Sequence, residues 1–275
     1  MLFSQLKGGL GNILFIVAAL KSLSLERNIP FVVSNNTQSS KKRDEEDFWI
    51  NSVLKNIKKV NKRPNDIKVR YNEKTFRYKK IPETKHGLEI NGYFQSEKYF
   101  KKYKNEIIEL FTSYKKQIIG KLNKKLSPKN KTISIHIRRT DYVKLQHAHV
   151  VQDINYYKTS LEKMSSELGY NNTTNMNDDY TFIVFSDDIE WCKNHELFSS
   201  FKNIKFMENN TAIEDIYLMS MCDHNIIANS TFSWWGAYLN INKDKVVICP
   251  SKWFNPSYIP EEEWQDIYCD KWIVN

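Results

Sequence analysis

From Thr132 to Cys249, short runs rich in β-branched and aromatic residues alternate with segments whose apolar residues recur at helical spacing. This alternation restricts the fold more than any other feature. Thr132–Ile137, Tyr180–Ser186, Ile204–Met207, Asn225–Ala228 and Val246–Cys249 read as strands, the last of them as the final strand of the chain. Ile154–Leu168, Asp187–His195, Ala212–Met221 and Ser233–Leu239 read as helices or helix starts. Strands that alternate with helices in this way pair in parallel through crossovers, so a doubly wound α/β sheet is predicted. Asn171–Asp179 (NNTTNMNDD) reads as a mobile polar insertion on the surface.

The first half opens the same way. MLFSQL reads as a strand, Gly8, Gly9 and Gly11 as a loop, Ile13–Leu25 as a helix and Phe31–Val33 as a second strand. From about Asn35 to Lys85 the pattern loosens into charged helix and loop with no defined element. Ser96 to about Asn123 then carries apolar residues at helical spacing. LSPKNK at 126–131 reads as a linker, which predicts two domains, 1–128 and 129–275.

Hydrophobic residues make up 41% of the 275, enough to build a core in each domain and to exclude a disordered chain. The four cysteines show neither a CxxC pair nor zinc spacing, so reduced thiols in a cytosolic protein are expected rather than a disulfide scaffold. No stretch approaches the roughly 18–20 apolar residues of a spanning helix. The run Ile13–Leu20 follows a glycine loop rather than a basic flank and is not a signal peptide. A cytoplasmic location follows as the expectation. The formal charge of +9 calls for an anionic partner: nucleic acid, an acidic membrane surface or a phosphorylated small molecule. Lys41-Lys42-Arg43, Lys101-Lys102, Lys115-Lys116 and Lys124-Lys125 mark the basic first half, read mainly as a solvated lysine-rich surface.

In parallel sheets, ligands sit beyond the carboxyl ends of the strands, where loops feed helix N-termini. Four segments have that placement. Gly8-Gly9-Leu10-Gly11-Asn12 leads into a helix whose dipole favours negative charge, although a tight structural turn explains it as well. His136-Ile137-Arg138-Arg139-Thr140-Asp141 follows a strand. Two adjacent arginines there cannot point the same way, so one faces a ligand while the other pairs with a carboxylate, with Asp141 the nearest partner. Phe185-Ser186-Asp187-Asp188 ends a buried strand, and its acids either cap a helix or accept hydrogen bonds from ribose or a base edge. Asn229-Ser230-Thr231-Phe232-Ser233 places small hydroxyls at a helix start, an anion cradle, with Trp234 and Trp235 as packing behind it.

Taken in order, GGLGNILF near the start, GYFQSEKYF at 92–100, HIRRTDYV at 136–143, His149 followed by Tyr156-Tyr157, FSDDIEWCK at 185–193, DIYLMSMCDHNIIANSTFSWWGAYL from 215 and PSKWF at 250–254 resemble glycosyltransferase family 11. These are the α-1,2-fucosyltransferases that use GDP-fucose. The HxRRxD and NSTFSWWGA segments are the specific ones.

The resemblance implies a GT-B architecture: two Rossmann-like α/β domains facing a cleft, the first on the acceptor side and the second binding the donor in a parallel sheet. It implies an inverting, metal-independent transfer from GDP-β-L-fucose to O2 of a galactoside, with no bound metal and no cofactor besides the donor. Carried over, Arg138 or Arg139 holds the β-phosphate, and Asp187 or Asp188, with Ser186 beside them in the donor site, faces guanine or ribose; His136, at a strand end, is either structural or faces the base. Asn229, Ser230, Thr231, Phe232 and Ser233 meet the phosphates, and Gly9, Gly11 and Asn12 line the first-domain side. Asp141 or His149 is the expected catalytic base, with His136 a further candidate and His147 solvated. The acceptor is expected to be a glycan or lipid-linked oligosaccharide, with peripheral contact to an anionic membrane and no nucleic acid. Another GDP-sugar or another acceptor hydroxyl remains open, because the family's GGLGNQLFQYA carries Ile13, Ile16 and Val17 here. The reading from another class is a basic nucleic-acid-binding protein, although no RNP, KH or helix-turn-helix signature accompanies the charge.

Overall fold

A computed structural model describes residues 1–34 and 52–275, so the Lys41-Lys42-Arg43 run lies outside the described residues. The chain forms two compact units: Met1–Ile118 with Glu262–Cys269, and Ile119–Glu261 with Asp270–Asn275.

In the first unit, β1 (Leu2–Ser4), β2 (Phe31–Ser34), β3 (Lys59–Val60), β4 (Ile67–Asn72) and β5 (Gly87–Asn91) form a parallel sheet in the order β3-β2-β1-β5-β4. The helix α1 (Leu10–Arg27) starts three residues before the apolar run suggests, because Gly8 turns the chain at φ +76° into it. A Cβ on Gly8 would lie 2.5 Å from Asn12 Nδ2, so glycine is required there on two counts. Ile13, Ile16 and Val17 are buried in α1, at 1%, 0% and 0% exposure. These departures from the family pattern are therefore packing residues of α1.

Within the span read as charged helix and loop, the described residues hold β3 and β4. In β4, Ile67, Val69 and Tyr71 alternate with Lys68, Arg70 and Asn72, the polar face of an edge strand. The next strand, β5, carries a buried Glu89 held by Arg63 Nε at 2.6 Å and Arg70 Nε at 2.9 Å. Its charge hides the strand from a hydropathy reading. The helix expected from Ser96 instead opens as two short 3₁₀ turns, Glu97–Tyr99 and Lys101–Tyr103, before α2 (Lys104–Leu126). Ser96 caps the first turn by accepting from the Lys98 N–H, and this early cap favours a tight turn over a full helix.

In the second unit, β6 (Lys131–Ile137), β7 (Tyr180–Ser186), β8 (Ile204–Phe206), β9 (His224–Ile226), β10 (Val247–Cys249) and β11 (Ile273–Val274) form a parallel sheet in the order β11-β10-β9-β6-β7-β8. β10 is thus not the last strand: Ile273 and Val274 pair with Ile248 and Cys249. Two residues carry too little periodicity to show as a strand. The stretch 171–179 is not a mobile insertion either. Asn172 accepts from the Asn175 N–H to cap α5 (Thr173–Asp179), and Met176 anchors that helix in the core.

The remaining helices are α3 (Thr140–Lys144), α4 (Ile154–Glu167), α6 (Ile189–Asn194), α7 (Glu196–Ser199), α8 (Ala212–Met221) and α9 (Thr231–Tyr238). One core layer gathers Ile133, Ile135, Phe182 and Val184 from the sheet with Tyr157, Leu161 and Met164 from α4. In α9, Trp234 stacks on Tyr238 at 4.6 Å, and a Cβ on Gly236 would come within 2.8 Å of Met219 Cβ on α8. The tryptophans are packing, and the glycine lets the two helices approach closely. All four cysteines are buried and unbonded to one another. Among the described residues, no helix is long and apolar enough to cross a membrane.

Candidate functional site

The register of β6 against β7 builds the centre of the site. Seven pairs run from Lys131↔Tyr180 to Ile137↔Ser186, so the two strands end level with each other. The next residues, Arg138-Arg139 on one strand and Asp187-Asp188 on the other, emerge side by side. Arg138 Nη1 lies 2.9 Å from Asp187 Oδ2, and Nη2 lies 2.6 Å from Asp141 Oδ2. Arg139 diverges, as adjacent side chains must: Nε meets Asp188 Oδ2 at 3.1 Å, and its guanidinium lies 3.8 Å over the Trp191 ring. Both arginines are therefore paired, and it is Arg138 that takes Asp141.

Asp187 accepts further bonds from the Arg139 N–H at 2.9 Å and from Thr140 Oγ1 at 2.5 Å. Burial alone would raise its pKa, yet Arg138, Thr140 and the Arg139 N–H together hold it below the usual carboxylate range. Asp188 caps α6 by accepting from the Trp191 N–H, so this acid serves the helix as well as Arg139. Ser186 Oγ accepts from the Asp188 N–H at 2.9 Å.

Two histidines border this lattice. His136 is 4% exposed, its Nδ1 has no partner, and its ring lies 5.6 Å from that of Phe232. Burial pushes its pKa down, against the pull of Asp187, so the ring is neutral near pH 7. His149 is reached through Tyr142. The Tyr142 ring stacks on His149 at 4.3 Å and 8°, and the Arg138 guanidinium sits 5.3 Å from the same ring. Burial lowers the His149 pKa as well, leaving the imidazole able to take a proton, and its Nδ1 is buried without a partner.

Asn229 ties the loops together by donating from Nδ2 to the Val150 and Trp253 carbonyls, both at 2.9 Å, which leaves its buried Oδ1 without a partner. Ser230 caps α9 through the Phe232 N–H. Ser233 is fully buried, its hydroxyl turned to the Ala228 and Ser230 carbonyls. Thr231 and Phe232 are the half-buried residues at this helix start.

The structure thus brings His136, Arg138, Arg139, Asp141, His149, Ser186, Asp187, Asp188 and residues 229–233 to the carboxyl ends of the central strands β6, β7 and β9 or the loops that follow them. Gly9, Gly11 and Asn12 lie in the first unit. There Gly9 caps α1 without a side chain, Gly11 is buried, and Asn12 Oδ1 accepts from Gln95 Nε2 at 2.9 Å. Among the described residues, no group of three or more His, Cys, Asp or Glu is placed to hold a metal ion.

Four residues of the second unit were given no role by the sequence reading. Thr140 and Trp191 lie within quoted motifs, but their roles depend on the strand register. Tyr142 is the bridge from Arg138 to His149, which no spacing rule encodes. Asp215, in the first turn of α8, has its pKa pushed up to about 7 by burial, partly offset by the Asn210 hydrogen bond. An acid in a helix's first turn is so common that it carries no signal by itself.

Residues 6–275 match the family described as Glycosyl transferase family 11. The Escherichia coli Alpha-1,2-colitosyltransferase is 32% identical over 277 residues, covering 91% of each chain. The mouse Galactoside 2-alpha-L-fucosyltransferase Sec1 is 27% identical over 214 residues, 70% of this chain and 55% of that protein. Among solved structures, a variant of Arabidopsis thaliana FUT1 in complex with GDP superposes with a TM-score of 0.50 at 14% identity, over 90% of this chain and 69% of the other. The two parallel sheets are those of a GT-B fold.

Proposed function

This chain belongs to glycosyl transferase family 11, and on that premise we propose that it moves L-fucose from GDP-β-L-fucose to O2 of a galactoside, with inversion and without a metal ion. The observation that carries the reading is the level ending of β6 and β7, which sets Arg138 between two carboxylates and beside His149 through Tyr142. As the acceptor oxygen bonds to the anomeric carbon, the bond from that carbon to the β-phosphate oxygen breaks and its electron pair leaves on GDP. The acceptor proton passes to His149 or Asp141.

The departing diphosphate then carries charge that fixed cations and N–H groups must stabilise. Arg138 is the main such group, and its guanidinium exchanges a carboxylate partner for phosphate oxygen in doing so. The half-buried start of α9 at Thr231 and Phe232 adds the positive end of the helix dipole, a smaller contribution of about 0.3–1 kcal/mol. Neutral His136 and the unpaired Oδ1 of Asn229 offer polar atoms to the nucleoside. The acceptor would be a free or lipid-linked glycan, the latter drawing the lysine-rich surface to an anionic membrane. Sedimentation with anionic vesicles should fall as salt rises if that contact exists.

Calorimetric titration with GDP and GDP-fucose in EDTA tests the donor assignment. Wild type should bind both, and Arg138→Ala should bind neither. Absence of binding by folded wild type would remove the nucleotide from the assignment and leave the basic surface as the leading clue. A second donor reading is favoured by the relative named a colitosyltransferase: the sugar is colitose, a deoxygenated relative of fucose. Competing the two GDP-sugars for one acceptor separates the readings.

A further inference from the structure

Seven large hydrophobic side chains are exposed among the described residues, and three of them lie on two stretches of the second unit: Val143 at 43% and Leu145 at 42%, just after Asp141 in the chain, and Tyr258 at 60%. The two stretches are tied to each other. Asn255 donates from its N–H to the Ala148 carbonyl at 3.1 Å and from Nδ2 to the Gln146 carbonyl at 3.0 Å. Gln152 Nε2 adds a bond to the Lys252 carbonyl at 3.0 Å. Leu145 closes its own turn by accepting from the N–H groups of Ala148 and His149. Tyr258 meets the His147 ring edge-on at 6.0 Å and 89°. The platform is thus an open aromatic ring edged by the His147 imidazole, on a stretch that hydrogen bonds tie to the turn after Leu145.

An apolar patch with a polar rim on a well-anchored loop pair marks a contact surface rather than stray exposure. Its composition selects the occupant. A pyranose ring presents C–H groups on one face and hydroxyls around its edge, so it can lie on an aromatic ring while its edge reaches amides. The platform is also continuous in the chain with the reacting groups: α3 contains Asp141, and the turn that begins at Leu145 ends at His149, so a sugar on Tyr258 would rest against the stretch that carries both candidate bases.

We propose that Tyr258, with Leu145 and His147, forms a subsite for a pyranose ring of the acceptor glycan. The proposal rests on the glycosyltransferase reading above and deepens it: acceptor choice is set partly in the second unit, by an aromatic platform tied to the stretch that carries the candidate bases.

Saturation-transfer NMR with methyl β-D-galactopyranoside, run with and without GDP, tests it on the full chain. Wild type should transfer saturation to the sugar. Tyr258→Ala should bind it about tenfold more weakly, Leu145→Ser less so, and Tyr258→Phe should bind like wild type, because the ring face and not the hydroxyl makes the contact. GDP titration of each variant should match wild type, which shows that the fold and donor site are intact. With a working acceptor, the Tyr258→Ala KM for that acceptor should rise about tenfold while hydrolysis of the sugar nucleotide is unchanged. Sugar binding that is absent from wild type, or equal in wild type and Tyr258→Ala, overturns the subsite. Failure of GDP to bind wild type overturns the donor reading instead, and the sugar titration without GDP still decides the platform.

Discussion

The two units share a parallel α/β sheet but use their charged residues in opposite ways. In the first, Glu73 and Asp266 serve the backbone, while Glu89 sits in the middle of β5 between Arg63 and Arg70. Glu73 is half-buried and accepts from the Tyr93 N–H at 2.6 Å and the Phe94 N–H at 3.0 Å, fixing a turn in which Phe94 adopts φ +54°. Asp266 likewise takes the Tyr78 N–H and the Lys98 ammonium. In the second, the carboxylates at the strand ends pair mainly with cationic side chains, Arg138 and Arg139. A carboxylate bonded to main-chain N–H groups is committed to the fold. One bonded to a guanidinium can yield its place to an anionic ligand, because the guanidinium gains an equivalent partner. The difference teaches where chemistry can occur: not wherever charges pair, as Glu89 does in the middle of β5, but where they pair at the carboxyl ends of adjacent strands.

The sharpest way to break that contrast is Arg138→Ala. Charge-assisted bonds contribute about 1.5–3 kcal/mol each, so losing the guanidinium should weaken GDP by roughly a hundredfold or more. Arg138→Lys should restore little, since an ammonium does not replace the fork. GDP binding within threefold of wild type would show that the lattice is structural, like its counterpart in the first unit.

Next in size is Glu73→Ala. It strands two main-chain N–H groups and should cost roughly 2–3 kcal/mol of stability, read as a lower Tm and lower denaturation midpoint. GDP affinity should stay unchanged at a temperature where the protein is folded. A large loss of affinity with no loss of stability would give the first unit a binding role for this acid.

A smaller effect is expected at Asp215. Its pKa of about 7 in the folded chain lies above the value near 4 of an exposed aspartate. The unfolded chain therefore releases this proton first as pH rises, and stability falls between about pH 4 and pH 7 before levelling off. Asp215→Asn should flatten that part of the stability curve measured by urea unfolding. An unchanged slope would place the titration elsewhere.

Smallest is Trp191→Ala, which removes the ring beneath Arg139. Cation–π contacts of partly exposed pairs contribute about 0.5–1 kcal/mol, so GDP binding should weaken no more than about fivefold. An effect as large as that of Arg138→Ala would make Arg139 the phosphate ligand.

Much of this was legible in the sequence, and the exceptions share a cause. The strands of the second unit are uniform apolar runs, and the helices between them announce themselves by period. β4 and β5 do not, because one is an edge strand with a charged face and the other buries Glu89 between two arginines. A pattern reader scores each residue alone, whereas that glutamate is tolerated only because its partners arrive from elsewhere in the chain. The same limit applies at the site. His136, Arg138, Arg139, Asp141, Asp187 and Asp188 stand out by residue type at strand ends. That Arg138 takes Asp141 and Asp187, while Arg139 takes Asp188 and Trp191, depends on the register of β6 against β7.

The sequence by itself determined the alternation of strands and helices, the glycine turn ahead of α1 and the family to which the chain belongs. Each of these is written in local residue order or in motifs that can be matched one by one. Tertiary structure decided which acids are spent on backbone and which on arginine, how Tyr142 links Arg138 to His149, and that Tyr258 stands open beside His147. Those outcomes turn on distances of a few ångströms between residues up to about a hundred positions apart. Contacts of that kind exist only once parallel pairing has brought the strand ends level.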